Sequence, residues 1–311
     1  MTRNGAPHFN VEKDVPDLAG KVILVTGGNS GLGKQAVIDL AKHSPHEIIL
    51  TARSADKAEA AIKEIKEVVP NAHITFLQVD LNSLASVQQA AKAVLASNAK
   101  LDLLILNAGI MCTPAGLTSD GYETQFGTNH LSHALLTKLL LPLLLQAPEP
   151  RVVVLSSDMQ SQAPAGGILF PKLKTTQEDI STIQRYAQSK LANILFARAL
   201  AKHYPHLTTA SVHPGIFRTN LQTSMKENSA VIRLASKLLG GLMADPSKGT
   251  RNQLWAATAK EVKSGEYYLP VGVNGKGSKS ATDDELAEKL WKWTEDELKK
   301  WELNENQAYN L

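Results

Sequence analysis

The sequence has few of the residues that mark secreted, metal-binding or nucleic-acid-binding proteins. Its 311 residues include one cysteine, Cys112, which excludes an internal disulfide and a cysteine-rich metal site. The net charge of +3 is small and dispersed, and no basic tract with interleaved aromatics is present, so we expect no nucleic-acid partner. Residues 1–20 are polar, with neither the apolar stretch of a signal peptide nor an integral membrane segment. We therefore expect a soluble, cytoplasmic protein without bound metal.

The pattern of apolar residues indicates an α/β protein. Apolar residues make up 43% of the chain and charged residues 20%, which is typical of a globular protein with a sizeable core. Strand-like and helix-like segments alternate, which favours a parallel sheet with helices on both faces. The predicted strands are 21–26, 47–52, 73–79, 101–106, 151–156, 207–213 and 266–269. The predicted helices are 32–43, 55–68, 83–97, 121–146, 186–203, 247–260 and 284–301. Right-handed crossovers then predict a single-domain, Rossmann-type doubly wound sheet with strand order 3-2-1-4-5-6-7.

Four stretches depart from this alternation. Residues 1–18 are predicted to form an N-terminal arm, and residues 281–311 a C-terminal helical extension. The connection 158–184 is longer than usual, so we expect it to form one wall of a functional site. Residues 225–245 have an apolar helical pattern, and one interpretation is an ordinary packed helix. No linker rich in Pro, Gly or Ser divides the chain, so residues 1–311 are interpreted as one domain.

A glycine-rich turn follows the first predicted strand. The strand Lys21–Thr26 ends in the run Gly27-Gly28-Asn29-Ser30-Gly31-Leu32-Gly33, and a helical pattern follows. A strand, a glycine turn and a helix present main-chain N–H groups and the positive end of a helix dipole to a pyrophosphate. Glycine is needed where φ is positive or where a side chain would keep the phosphates away. The pattern predicts a dinucleotide site; a glycine-rich loop without a ligand is the alternative.

Tyr186 and Lys190 form a second motif at the start of an apolar helical stretch. Residues four apart lie on one face of a helix, so the phenol and the ammonium group point the same way. A free phenol, with a pKa of about 10, transfers protons poorly at neutral pH. A nearby cation favours the phenolate, so we expect Lys190 to lower the pKa of Tyr186 toward the working range. The same spacing is also common on solvated helix faces.

Taken in order, these motifs resemble those of the short-chain dehydrogenase/reductase family from Lys21 to about Tyr268. Thr26 to Gly33 is similar to the family's cofactor loop, Asn107-Ala108-Gly109 to its strand-four motif, and Pro214-Gly215 to its turn after strand six. The chain looks most like the retinol-dehydrogenase-type branch and related fungal or bacterial reductases. That likeness is carried by the runs Leu50-Thr51-Ala52-Arg53, Asn129-His130-Leu131 and Ser189-Lys190-Leu191-Ala192-Asn193.

The resemblance implies a catalytic set of Ser157, Tyr186, Lys190 and Asn129. Two adjacent serines end the fifth strand; the resemblance favours Ser157, and Ser156, on the opposite strand face, is the alternative. In the family, the matching asparagine distorts its helix and holds a water that leads to the lysine. The resemblance therefore implies that Tyr186 donates or accepts the proton, Ser157 bonds the substrate oxygen, and Lys190 holds the cofactor ribose.

The end of the second strand favours NADP(H) over NAD(H). An acidic residue there would bind a ribose hydroxyl, whereas Arg53 suits a 2′-phosphate, and no carboxylate occurs before Asp56. The family's adenine-binding aspartate matches Asp80, which alternatively caps or forms a turn. Thr219 matches the residue that grips the nicotinamide carboxamide. The predicted cofactor contacts are Gly27, Asn29, Ser30, Gly31, Leu32, Gly33, Arg53, Lys57, Asp80, Leu81, Asn107, Ala108, Gly109, Tyr186, Lys190, Pro214, Gly215, Ile216 and Thr219.

The substrate is less well defined by the sequence. The residues expected to face it indicate a fairly apolar carbonyl compound or alcohol; they are Met111, Cys112, Gln162, Phe170, Phe217 and the 225–243 region. The family places a substrate lid at 225–245. Retinoids are possible by resemblance, but a membrane anchor is missing. The alternative function is a regulator that senses NADP(H) without turnover.

Two further expectations concern assembly and metal. In many relatives the helices near 83–97 and 121–146 pair in a homodimer, whereas the C-terminal extension could cover that surface or the substrate pocket instead. His130 and His133 are three residues apart with no third ligand nearby, so we expect them to cap or pack rather than bind a metal.

Overall fold

The structure, a computed structural model, describes residues 8–215, 249–275 and 277–308. The predicted lid at 225–245 and the predicted contacts Ile216, Phe217 and Thr219 lie outside the described residues. Within the described part, the strands form one eight-stranded sheet.

The sheet has the strand order β3-β2-β1-β4-β5-β6-β7-β8. Its strands are β1 Val22–Val25, β2 Glu47–Ala52, β3 Ile74–Gln78, β4 Leu103–Leu106, β5 Arg151–Leu155, β6 Thr208–Val212, β7 Glu266–Leu269 and β8 Val273–Asn274. The seven predicted strands and their parallel order are confirmed. The short β8, antiparallel to β7, was not predicted, because two residues are too short to carry an alternation pattern.

Helices cover both faces of the sheet, as predicted. They are α1 Val11–Asp14, α2 Gly31–Ala41, α3 Ala55–Val68, α4 Leu84–Ser97, α5 Thr124–Phe126, α6 Ser132–Leu144, α7 Thr182–His203, α8 Arg251–Thr258 and α9 Asp284–Ala308. One apolar core lies between the sheet and α4, α6, α7 and α9; the other lies between the sheet and α2, α3 and α8. Because both faces are covered, every residue of β1 is buried, which explains its continuous apolar run.

Two predicted helices differ from the structure in ways that bear on the site. The stretch predicted as one helix over 121–146 starts at Thr124, and a π-helical segment, Gly127–Leu131, separates α5 from α6. Helix α7 begins at Thr182, before the predicted start at Tyr186, because Ser181 and Gln184 form a capping box. Asn129 therefore lies in a distorted turn, and Tyr186 lies inside a helix rather than at its end.

The C-terminal helix α9 lies across α6 and α7. Trp291 stacks on Phe196 of α7 with ring centroids 6.0 Å apart, and Lys138 of α6 pairs with Glu295 at 3.2 Å. The described part of the N-terminal arm packs into the core on the other face of the sheet. No helix among the described residues is both long enough and apolar enough to cross a membrane.

Candidate active site

A cleft of about 680 Å³ opens at the carboxyl ends of the parallel strands. Fifteen of the predicted site residues line it: Gly27, Asn29, Ser30, Gly31, Leu32, Gly33, Arg53, Asp80, Leu81, Asn107, Ala108, Gly109, Tyr186, Lys190 and Pro214. Lys57, on the first turn of α3, is exposed and does not line the cleft, and neither does Gly215. Residues from four separate predicted motifs thus meet at one edge of the sheet, as ligand sites in open α/β sheets do.

The glycine turn leaves room for a ligand at the start of α2. Gly27 and Gly31 have φ values of 65° and 54°, which favour glycine. A Cβ on Gly33 would collide with the main-chain oxygen of Gly27 and with Nδ2 of Asn107, so the helix can approach the turn only with glycine there. The Ser30 side chain does not cap α2. The first N–H groups of the helix therefore stay available for an anion, which fits a dinucleotide pyrophosphate.

The end of β2 has the charge expected for a phosphate. Arg53 is exposed and lines the cleft, and its main-chain carbonyl accepts a hydrogen bond from Nε2 of Gln78 at 3.0 Å. Asp80 forms the alternative turn, because its Oδ1 accepts from the main-chain N–H of Asn82 at 2.9 Å, and it also lines the cleft; its contact with adenine stays a prediction.

Tyr186 and Lys190 line the β5 side of the cleft together with Ser156, whereas the predicted Ser157 contacts Tyr186 without lining the cleft. The Tyr186 phenol is 93% buried and interacts with the Ser157 hydroxyl, whereas Ser156 donates to the main-chain oxygen of Lys190 at 2.7 Å. The two serines therefore have different partners, and only the hydroxyl of Ser157 meets the phenol. Nζ of Lys190 lies 5.7 Å from the centroid of the Tyr186 ring and donates to the carbonyl of Leu155 at 3.1 Å.

Burial sets the pKa values of this pair. Burial raises the pKa of Tyr186 to about 12; Ser157 opposes the rise and Cys112 adds to it. The net shift of the Tyr186 pKa is therefore upward, opposite to the predicted lowering, because loss of water around the buried phenol dominates. Burial also lowers the pKa of Lys190 to about 8. The phenol therefore stays protonated at neutral pH.

Asn129 ties the cleft to helix α7. Its Oδ1 accepts from the main-chain N–H of Ile110 at 2.8 Å, and its Nδ2 donates to the carbonyl of Ile110 and to Oγ of Ser189, both at 2.9 Å. Ser189 in turn donates to the carbonyl of Tyr186 at 2.7 Å. The asparagine therefore joins the loop after β4 to the turn of α7 that carries Tyr186.

Three site residues were not identified from the sequence. Asn193 donates to the same Leu155 carbonyl as Lys190, at 2.9 Å, and Ser189 and Thr26 form hydrogen bonds with the candidate site residues Tyr186 and Ala108. Each of them lies inside a run that was used for the family resemblance. Their side-chain roles depend on partners distant in sequence, so residue type alone did not reveal them.

Some expected substrate contacts lie elsewhere. Phe170 packs against Trp293 of α9, with ring centroids 6.3 Å apart, and Gln162 is exposed. Cys112 is buried, and burial raises the pKa of its thiol, so it fits packing rather than nucleophilic chemistry. Among the described residues, no group of His, Cys, Asp or Glu is arranged to hold a metal ion.

Comparison with known proteins establishes the family. The short chain dehydrogenase family matches residues 21–230, which is more than half of the chain. The chain therefore belongs to the short-chain dehydrogenase family.

Individual relatives agree with this assignment. Short-chain dehydrogenase/reductase drtF of Aspergillus calidoustus is 43% identical, over 93% of this chain and 97% of the relative. Human retinol dehydrogenase 13 is 35% identical, over 88% of this chain and 83% of the relative. A crystal structure of an uncharacterized protein from Mycobacterium paratuberculosis superposes with a TM-score of 0.73 at 31% identity, covering 92% of this chain and 96% of that one. The resemblance to fungal reductases and retinol dehydrogenases is confirmed, and the protein is classed as an oxidoreductase.

Proposed function

We propose that this protein is an NADP(H)-dependent oxidoreductase that interconverts a carbonyl and an alcohol on a fairly apolar small molecule. The observation that carries the proposal is the position of the Tyr186 phenol. It is buried in the wall of the same cleft as the glycine turn, beside Ser157 and within 5.7 Å of Nζ of Lys190, measured to the ring centroid. A phenol at this position, next to a glycine turn that suits a dinucleotide, supports proton transfer coupled to the cofactor.

The cofactor is held by this chain's own groups. The glycine turn and the first N–H groups of α2 suit the pyrophosphate, Asp80 the adenosine, and Arg53 the 2′-phosphate that distinguishes NADP(H). Lys190 lies where it can exchange its bond to the Leu155 carbonyl for the nicotinamide ribose. When bound, the nicotinamide supplies or accepts a hydride.

The proton is handled by Tyr186. In the reducing direction the neutral phenol donates its proton to the substrate oxygen, and Ser157 hydrogen-bonds the same oxygen. The positive charge of Lys190 stabilises the phenolate that remains. Asn129 holds the part of α7 that carries Tyr186 and Lys190 at a fixed position relative to the loop after β4. In the oxidising direction the same groups act in reverse.

Turnover with a matched pair of tyrosine variants tests this function. NADPH consumption is measured against a panel of apolar ketones and aldehydes, including isoprenoid aldehydes because one relative is named a retinol dehydrogenase. Tyr186→Phe should lose at least about a hundredfold in kcat, the lower end of the range for general acid–base catalysis, while still binding NADPH. The control is Tyr122→Phe, which removes a buried hydroxyl that donates to Glu297, away from the cleft, and should retain turnover. Equal activity of wild type and Tyr186→Phe would exclude the mechanism.

The alternative is a regulator that binds NADP(H) without turnover. A sensor would need the glycine turn and Arg53, but it would have no use for a buried phenol facing a serine and a lysine. NADPH binding without turnover on any substrate of the panel would favour this second function.

A further inference from the structure

Two buried histidines on the distorted helix have different surroundings. His130 packs its ring against Phe126 and Phe196, with centroids 5.0 and 5.7 Å away, and its Nε2 lies 3.3 Å from Oγ1 of Thr294 on α9. His133 instead reaches the cofactor side of the sheet.

The contacts of His133 connect two parts of the site. Its Nε2 lies 3.0 Å from Oγ1 of Thr26, the last residue before the glycine turn, and its Nδ1 lies 3.0 Å from the main-chain oxygen of Asn129. Thr26 also contacts the two residues that follow β4. Its Oγ1 accepts from the N–H of Ala108 at 3.0 Å, and its carbonyl accepts from Nδ2 of Asn107 at 2.8 Å.

These partners determine where the protons lie. Burial lowers the pKa of His133 to about 4, and Lys190 contributes in the same direction, so the ring is neutral at pH 7 and has one N–H. A carbonyl oxygen only accepts, so the proton is on Nδ1 and is donated to Asn129. Nε2 is then an acceptor, and the Thr26 hydroxyl donates to it at 3.0 Å rather than to the more distant carbonyl of Ile105 at 3.5 Å, while accepting from Ala108. Every polar atom in this chain of contacts is satisfied.

We propose that His133 is a positioning residue that couples the cofactor turn to the catalytic set. Through its two nitrogens it holds the Thr26 hydroxyl and the Asn129 carbonyl, and Asn129 continues through Ser189 to the carbonyl of Tyr186. This inference rests on the proposed function. Without His133, the turn that receives the cofactor would no longer be held at a fixed position relative to the segment that supports Tyr186 and Lys190.

The two halves of this link can be tested separately. Asparagine places an amide N–H near the position of Nδ1, and glutamine places an amide near that of Nε2. His133→Asn should therefore retain the Asn129 contact and lose the one to Thr26, so its main defect should be a higher Kd for NADPH. His133→Gln should retain the Thr26 contact, so its main defect should be a lower kcat at saturating NADPH.

Two leucine variants distinguish a positioning role of His133 from a merely structural one. His133→Leu and His130→Leu remove equally buried rings from adjoining turns, His133 in α6 and His130 in the π-helical segment before it, and both should lower the melting temperature. His133→Leu should also raise the Kd for NADPH and lower kcat by about ten- to a hundredfold. A loss of that size is expected when reacting groups are displaced by up to about an ångström. His130→Leu should change neither by more than about twofold.

A double-mutant cycle on NADPH affinity tests the coupling without turnover. Thr26→Val keeps the shape of the side chain and removes its hydroxyl. Its effect on the Kd for NADPH is measured by tryptophan fluorescence, once in the wild-type background and once in His133→Leu. The effect should be much smaller in His133→Leu. Additive effects, or His133→Leu and His130→Leu matching in both kcat and Kd, would overturn the proposal. If the wild type binds NADPH but turns over no substrate, the proposed function fails, and the cycle still decides the role of His133.

Discussion

Nε of Arg185 lies 3.6 Å from Oε1 of Glu123, and the two side chains are 6% and 0% exposed. The guanidinium group also donates through one nitrogen to the carbonyls of Gln177 at 3.0 Å and Ile180 at 2.9 Å. Arg185 is the residue immediately before Tyr186. Its hydrogen bonds to Gln177 and Ile180 therefore fasten the long connection after β5 to the start of the helix that carries the phenol.

Breaking this ion pair should be costly. Arg185→Met leaves the Glu123 carboxylate buried without its cation, and we expect the free energy of unfolding to fall by about 3–5 kcal/mol. Adding Glu123→Gln to that variant should recover part of the loss, because no uncompensated charge remains. The control is Lys172→Met, which removes an exposed ion pair with Asp179 and should cost less than about 1 kcal/mol. Urea unfolding measures all of these variants, and similar small losses for Arg185→Met and Lys172→Met would contradict the prediction.

Arg53 should decide the choice of cofactor. Arg53→Ala removes the charged hydrogen-bonding group offered to a 2′-phosphate, so KM for NADPH should rise about 10- to 100-fold while KM for NADH stays within about twofold. Steady-state kinetics with both cofactors measure this. Lys57→Ala serves as the control, since Lys57 lies on the next turn but does not line the cleft. An equal effect of Arg53→Ala on both cofactors would show that the arginine does not recognise the phosphate.

Stability should fall in mild acid because of the two buried histidines. Burial lowers the pKa of His130 to about 3 and that of His133 to about 4, whereas an unfolded histidine titrates near 6.5. Between these values the unfolded state binds more protons than the folded state, so stability decreases as pH falls from about 6.5 to about 4. Each histidine contributes about a tenfold loss in the folding equilibrium per pH unit.

Urea unfolding at about pH 7, 6 and 5 checks the acid effect. His130→Leu has one proton-binding site fewer in the unfolded state, so its stability should depend less steeply on pH than that of the wild type, even though its stability at neutral pH is lower. Parallel slopes for the two proteins would mean that His130 does not titrate between the folded and unfolded states.

The position of α9 bears on assembly. The homodimer expected from the family resemblance would use the predicted helix 121–146, but α9 packs over α6 there, with Trp293 against Phe126 at a centroid distance of 5.7 Å and the Lys138–Glu295 ion pair beside it. Of the residues of α6, only Pro142 is exposed. We therefore expect a monomer mass by light scattering; a dimer mass would require a different pairing surface or displacement of α9.

Local sequence patterns determined much of this protein. The central strands β1, β4 and β5 were predictable because buried strands are short, continuous apolar runs, and the glycine turn because few other residues tolerate its backbone. The Tyr186–Lys190 pair was recognisable because helical spacing places both residues on one face. All of these features depend on residues within a few positions of one another, so the order of amino acids is sufficient to reveal them.

Only the tertiary structure decided the features that depend on distant neighbours. The pKa of Tyr186 rises instead of falling, because the surrounding chain removes water from the phenol. Ser157, which the resemblance had favoured over Ser156, meets that phenol, and a π-helical segment lies at Asn129, where the resemblance had implied a distorted helix; no local pattern of residues showed either feature. The contacts of Arg185 with Glu123 and of His133 with Thr26 join residues far apart in sequence. Their energies come from burial and geometry, which exist only once the sheet and its helices have packed together.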